Sequence, residues 1–131
     1  MARASGRLGL SFAHVPREVV AVPGPEFVRV AALTDVPVGS VRSVKLRLKE
    51  FALFNVGGRI IATRGTCPHQ QSSLALGRVC GDEITCARHG WRFRISTGEP
   101  LPPSGTWARL DHYAIAVEGG EIYLAPDRLE G

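Results

Sequence analysis

Within residues 41–49 apolar and cationic side chains alternate one for one from Val44 to Lys49. Val44, Leu46 and Leu48 fall on one face, and Lys45, Arg47 and Lys49 on the other. A period of two belongs to a half-buried β-strand, because successive side chains of an extended chain point to opposite sides. The spacing therefore predicts a strand with a cationic outer face. Residues 52–56 and 59–63 flank Gly57-Gly58, a pair free to adopt the positive φ angles of a tight hairpin turn. Val117 and Ile122 flank Glu118-Gly119-Gly120-Glu121 in the same way. Further short strands are predicted over 28–31, 77–80, 84–86, 92–95 and 113–117, with turns at Gly81-Asp82 and Thr97-Gly98. No stretch carries helical spacing. Many short strands punctuated by Gly and Pro predict an all-β fold, an antiparallel sandwich or barrel.

The first 26 residues break this pattern. They contain Gly6, Gly9, Pro16, Pro23, Gly24 and Pro25 with little periodicity, which predicts a partly ordered arm with at most one short strand over 18–22. One domain over 27–126 and a C-terminal tail, 127–131, are expected to follow. A length of 131 residues and a 44% hydrophobic content suit a single packed core. No apolar run approaches the roughly 20 residues of a membrane helix, and no export signal opens the chain. A soluble, cytoplasmic protein is the expectation. The net charge of +4 and pI near 9.4 suit an anionic partner, or simply a well-solvated surface.

Three cysteines are an odd number for a disulfide framework and point to a metal or redox use of thiolates. Two of them share a repeated combination, Cys67-x-His69 and Cys86-x-x-His89, separated by the sixteen residues 70–85. Each pair ends a predicted strand, so each loop offers one soft thiolate and one imidazole. Two cysteines and two histidines can hold tetrahedral zinc, and a structural zinc module is one reading. Zinc fingers, however, usually pair two cysteines on one turn and two histidines on another. A mixed pair per loop better suits a two-iron cluster, one iron collecting both cysteines and the other both histidines.

The segment Cys67-Pro68-His69 through Cys86-Ala87-Arg88-His89-Gly90-Trp91 resembles the Rieske [2Fe-2S] signature, C-x-H followed by C-x2-H. Over about residues 27–126 the chain is similar to the soluble ferredoxin branch. The apolar run 52–56, Thr97-Gly98 and the proline-rich Pro100-Leu101-Pro102-Pro103 also match that branch. The resemblance implies one [2Fe-2S] cluster per chain, with Cys67 and Cys86 on one iron and His69 and His89 on the other. It implies an antiparallel Rieske-like sandwich or barrel with a cluster-binding subdomain, about 64–104, formed by two loops. It further implies a one-electron carrier between a flavin-dependent ferredoxin reductase and a terminal oxygenase, with no catalytic residues of its own and neither nucleic acid nor membrane as partner. The small subunit of an assimilatory nitrite reductase shares the pattern and is the second reading.

Departures from other branches add to this. High-potential members carry an extra cysteine in each loop, where this chain has Ser72 and Arg88, so their disulfide has no counterpart. They also place hydroxyl residues after the second histidine, where Trp91 and Phe93 stand here. Donors to sulfur stabilise the electron-rich reduced state, so their loss implies a potential near the roughly −150 mV end of the Rieske range. Outside the pairs, Cys80 is expected to be a buried, inert strand cysteine. His14 falls in the arm, and the adjacent Asp111 and His112 should point to opposite faces of a strand. No mononuclear iron site of two histidines and a carboxylate is therefore expected. Trp91 and Trp107 are expected to pack in the core or shield the cluster. Arg88, Arg92 and Arg94 read either as steering charges or as solvated strand residues.

Overall fold

The apolar run at 51–54 is longer than a one-faced strand needs, and the fold shows why. In the computed structural model, which describes residues 24–68 and 72–130, the strands are β1 (Val28–Ala32), β2 (Val41–Leu46), β3 (Lys49–Val56), β4 (Arg59–Arg64), β5 (Arg78–Cys80), β6 (Glu83–Thr85), β7 (Arg92–Arg94), β8 (Pro100–Leu101), β9 (His112–Glu118) and β10 (Glu121–Glu130). All pair antiparallel, in a large sheet ordered β1-β10-β9-β4-β3-β2 and a small one ordered β5-β6-β7-β8. Among the described residues the remaining helical structure is two short 3-10 turns, Leu33–Asp35 and Leu74–Leu76. None of it is a helix long and apolar enough to cross a membrane.

Each strand of the large sheet sends one face into the same buried cluster: Ala31, Val44, Phe51 with Leu53, Ile60 with Ala62, the half-buried Ile115, and Ile122 with Leu124. A sheet whose first and last strands share a core has curled toward a barrel. The opposite face of β3 and β4 is buried as well. Ala52, Phe54 and Ile61 pack outward against Leu74, Ile84, Phe93, Ile95, Ala108 and Leu110, so the small sheet covers this side. Two cores, one on each side of β3, require every residue from Phe51 to Leu53 to be apolar, and alternation is lost there for that reason.

Turns follow the glycines where the sequence predicts them. Gly57 and Gly58 (φ +62° and +97°) join β3 to β4, and Gly119 and Gly120 (φ +60° and +78°) join β9 to β10. The alternating stretch at 41–49 behaves differently. It is two strands, β2 and the start of β3, joined by Arg47-Leu48, with Leu46 paired to Lys49. Leu48 therefore does not share the inner face of Val44 and Leu46; it sits at the turn, fully exposed. Arg47 takes φ +57°, a strain of about 1 kcal/mol for a residue with a Cβ. Cys80 is also exposed rather than buried. On β5, the edge strand of the small sheet, Val79 turns inward while Arg78 and Cys80 face solvent. At the other end, β10 continues past Pro126 to Glu130 after a bulge, Leu129 pairing with Tyr113. Residues 18–22 and His14 lie outside the described residues.

A buried polar side chain fastens the far end of the barrel. Asn55 donates from Nδ2 to the carbonyl of Val36 at 2.7 Å and accepts the Gly58 N–H at Oδ1, at 2.8 Å. Asn55→Leu would leave both backbone groups unpaired and should lower unfolding free energy by about 1–3 kcal/mol. Urea denaturation monitored by tryptophan fluorescence measures this, and an unchanged midpoint would show that these bonds contribute nothing net.

Candidate functional site

Backbone hydrogen bonding shapes the two cysteine loops alike. The first follows β4, where Gly65 donates its N–H to the Glu50 carbonyl and accepts from Leu74 N–H, both at 2.8 Å. A Cβ at 65 would lie 2.7 Å from the Glu50 carbonyl carbon, so glycine is required at this crossing. Thr66 then bridges Ser73, and the Cys67 N–H donates to the Ser72 carbonyl at 2.8 Å. The second loop leaves β6, and the Cys86 N–H donates to the Trp91 carbonyl at 2.7 Å. In both loops a cysteine N–H closes on the carbonyl five residues later. Gly90, at φ +72°, donates back to the Cys86 carbonyl and turns the second loop into β7.

The closures put both thiols in one place. Cys67 and Cys86 are buried in the same apolar cluster, formed by Phe54, Leu74, Ile84, Phe93, Ile95 and Leu110. His89 is exposed on the rim of its loop. His69, the remaining predicted ligand, lies outside the described residues. No disulfide joins the three cysteines. Two soft sulfur donors buried in one apolar cluster fit one side of an iron–sulfur centre, while His89, exposed in the same loop as Cys86, does not gather with them into a group of three ligands among the described residues.

Residues distant in sequence hold the loop necks. Glu50 Oε2 accepts from the hydroxyls of Ser43 and Ser73, tying the first loop to the β2–β3 hairpin. Ser104 accepts the Arg92 N–H at 2.7 Å and donates to the Arg92 carbonyl at 2.6 Å, pinning the second loop to the proline-rich segment. The small sheet is anchored to the barrel by His112, whose Nε2 is 2.7 Å from the Ile95 carbonyl. A carbonyl only accepts, so Nε2 carries the proton there. Its ring also packs on Gly98, where a Cβ would strike the Leu110 carbonyl. Sequence spacing offers no signal for Glu50, Ser73 or Ser104, because each acts on a partner that folding alone brings near.

The arginines by the second loop divide into two kinds. Arg92 is bonded to Glu83 and to the Pro102 carbonyl, both at 2.8 Å, and Arg94 lies 3.6 Å from Glu99, so neither is a freely solvated charge. Arg88 is exposed and, among the described residues, has no ion pair. Trp91 packs half-buried against the cysteine cluster, as shielding requires. Trp107 does not join the core. It is exposed and meets Trp91 edge-on, ring centres 5.6 Å apart.

A cleft of about 620 Å³ opens beside the first loop, between the β2–β3 turn and β9, lined by Lys45, Lys49, Arg64, Thr66, Asp111 and Tyr113 among others. Burial raises the Tyr113 phenol above its ordinary pKa of 10.0, the Asp111 carboxylate raises it further, and Arg64 opposes both. The folded state thus holds the phenolic proton more tightly than the unfolded chain. The stability it confers is whole below about pH 10 and falls as pH rises toward the folded value. Tyr113→Phe should flatten this alkaline decline, measured as urea midpoints between about pH 8.5 and 11. An equally steep decline in the variant would exclude Tyr113 as its source.

Comparison with known proteins places the geometry in a lineage. The profile of the Rieske [2Fe-2S] domain matches residues 26–104. The "Ferredoxin CarAc" of Metapseudomonas resinovorans is 33% identical over 103 residues, 78% of this chain and 95% of its own. The ferredoxin component of the naphthalene 1,2-dioxygenase/salicylate 5-hydroxylase systems of Ralstonia sp is 40% identical over 94 residues, 72% of this chain and 89% of its own. Among solved structures, a ferredoxin chain in a complex of reduced oxygenase and oxidised ferredoxin of carbazole 1,9a-dioxygenase superposes with a TM-score of 0.74. It is 31% identical, over 82% of this chain and 100% of that one.

Proposed function

The chain belongs to the Rieske [2Fe-2S] domain family, and on that premise we propose that it is the ferredoxin of an oxygenase system, a one-electron carrier that delivers electrons to a terminal oxygenase. Its cofactor is one [2Fe-2S] cluster, which when bound supplies a single reversible electron. Cys67 and Cys86 would hold one iron, and His69 and His89 the other. The observation that carries this reading is the convergence of two identically closed loops, which buries both thiols in one apolar cluster.

The protein's own residues do the rest. Phe54, Leu74, Phe93 and Ile95 keep water from the sulfurs, while the exposed His89 offers the edge through which a partner is reached. A flavin-dependent reductase is the proposed electron source and the cytoplasm the proposed setting. Trp91 and the buried Phe93 take places that hydroxyl donors hold in high-potential relatives, which supports a midpoint near the roughly −150 mV end of the Rieske range. A complete set of cysteine and histidine residues favours a carrier over the small subunit of a nitrite reductase, some of which lack ligands.

Iron-replete protein should contain about two irons and two sulfides per chain and, reduced with dithionite, give a rhombic Rieske EPR spectrum. His89→Ala and Cys86→Ser should each abolish that spectrum. One zinc per chain without sulfide, or a His89→Ala spectrum like the parent's, would end this reading.

A further inference from the structure

Three observations meet at the β2–β3 turn. Leu48 is 103% exposed, the most exposed large apolar side chain among the described residues. Beside it, Arg47 is the sole described non-glycine residue with a positive φ. Flanking both, Lys45 and Lys49 have no ion pair among the described residues, and Arg64 Nε is buried without a hydrogen-bond partner. A single exposed leucine is ordinary. A strained turn is not, since glycine or asparagine at 47 would relieve it, and backbone strain persists where a conformation presents side chains for use.

Placement and charge give this turn a role. β3 and β4 pair with Phe51 opposite Arg64, and Gly65 donates to the Glu50 carbonyl. Antiparallel pairing thus carries Leu48 and Lys49 to the edge of the sheet from which the Cys67 loop emerges. Of the charges lining the adjoining cleft, Glu50 is held by Ser43 and Ser73, and Arg47 forms an exposed pair with Asp127 at 3.2 Å. Lys45, Lys49 and Arg64 remain against Glu50 and Asp111, three cations to two carboxylates and so a positive excess of one in a concave site.

We propose that the β2–β3 turn and its cleft dock an acidic protein surface of the redox partner, Leu48 seating in an apolar notch while partner carboxylates reach Lys45, Lys49 and Arg64. The proposal rests on the electron-carrier reading. Charges of this kind act chiefly on the encounter rate, and the buried apolar anchor on the lifetime of the complex.

The test is stopped-flow reduction of the cluster-loaded full chain by reduced flavodoxin, used as an acidic one-electron donor, with dithionite as a reference that needs no docking. Lys49→Glu should lower the second-order rate constant about tenfold and weaken its salt dependence. Leu48→Ala should lower it about threefold and leave the salt dependence intact. Arg59→Glu, an equal charge change at the opposite end of the sheet, should cost less than about twofold. Dithionite should reduce all variants alike. Equal losses for Lys49→Glu and Arg59→Glu, or parent-like rates for Lys49→Glu and Leu48→Ala, would overturn the proposal. So would sedimentation showing a dimer that Leu48→Ala dissolves, since the turn would then face a second copy. Loaded protein that dithionite fails to reduce would instead sink the electron-carrier reading itself.

Discussion

A backbone N–H withdrawn from water must find an acceptor, and at both buried cysteines it finds the carbonyl five residues ahead. That repeated closure is the constraint on which the site depends. It turns each loop into a tight bend whose first residue faces inward, and in the second loop Ala87, Arg88 and His89 stand out. The thiols of Cys67 and Cys86 are thereby drawn into one apolar cluster, and His89 is left on the rim. Two loops from different parts of the chain need no direct bond to each other for this, because each is oriented by its own neck.

The necks are rigid because the sheet beneath them is buried on both sides. β3 carries Phe51 and Leu53 toward the barrel interior and Ala52 and Phe54 toward the cysteine loops, so the strand cannot shift without disturbing two cores. Glu50 leaves this strand at its exposed end and reaches Ser73, and Ser104 and His112 provide corresponding ties for the second loop and the small sheet. Stability and site geometry are here one set of contacts.

Charge is distributed with the same economy. The cations of the small sheet are largely consumed by neighbours, Arg92 by Glu83 and Arg94 by Glu99, whereas Arg88 and the lysines of the β2–β3 turn are not. Among the described residues these unpaired cations stand at the end of the molecule that bears the cysteine loops, where their fields can act on an approaching protein. Surface pairs such as Arg47 with Asp127 are too exposed to contribute much to folding.

Strand positions, the glycine hairpins and the two cysteine–histidine pairs were legible in the chain because each is a local matter. Period-two burial, positive φ at Gly57-Gly58 and Gly119-Gly120, and the spacing of cysteine to histidine depend on residues a few places apart. Other features were not. Alternation over 41–49 does not say where a two-residue turn interrupts it, and only the pairing of β2 with β3 places Leu48 outside. The burial of Cys80 depended on whether β5 lay at a sheet edge, which strand order decides. The exposure of Trp107 and the anchoring by Glu50, Ser73 and Ser104 likewise arise between residues far apart in the chain. Spacing along a backbone specifies which groups can act together; distance across a folded core specifies which ones do, because burial and hydrogen bonding are settled by neighbours in space.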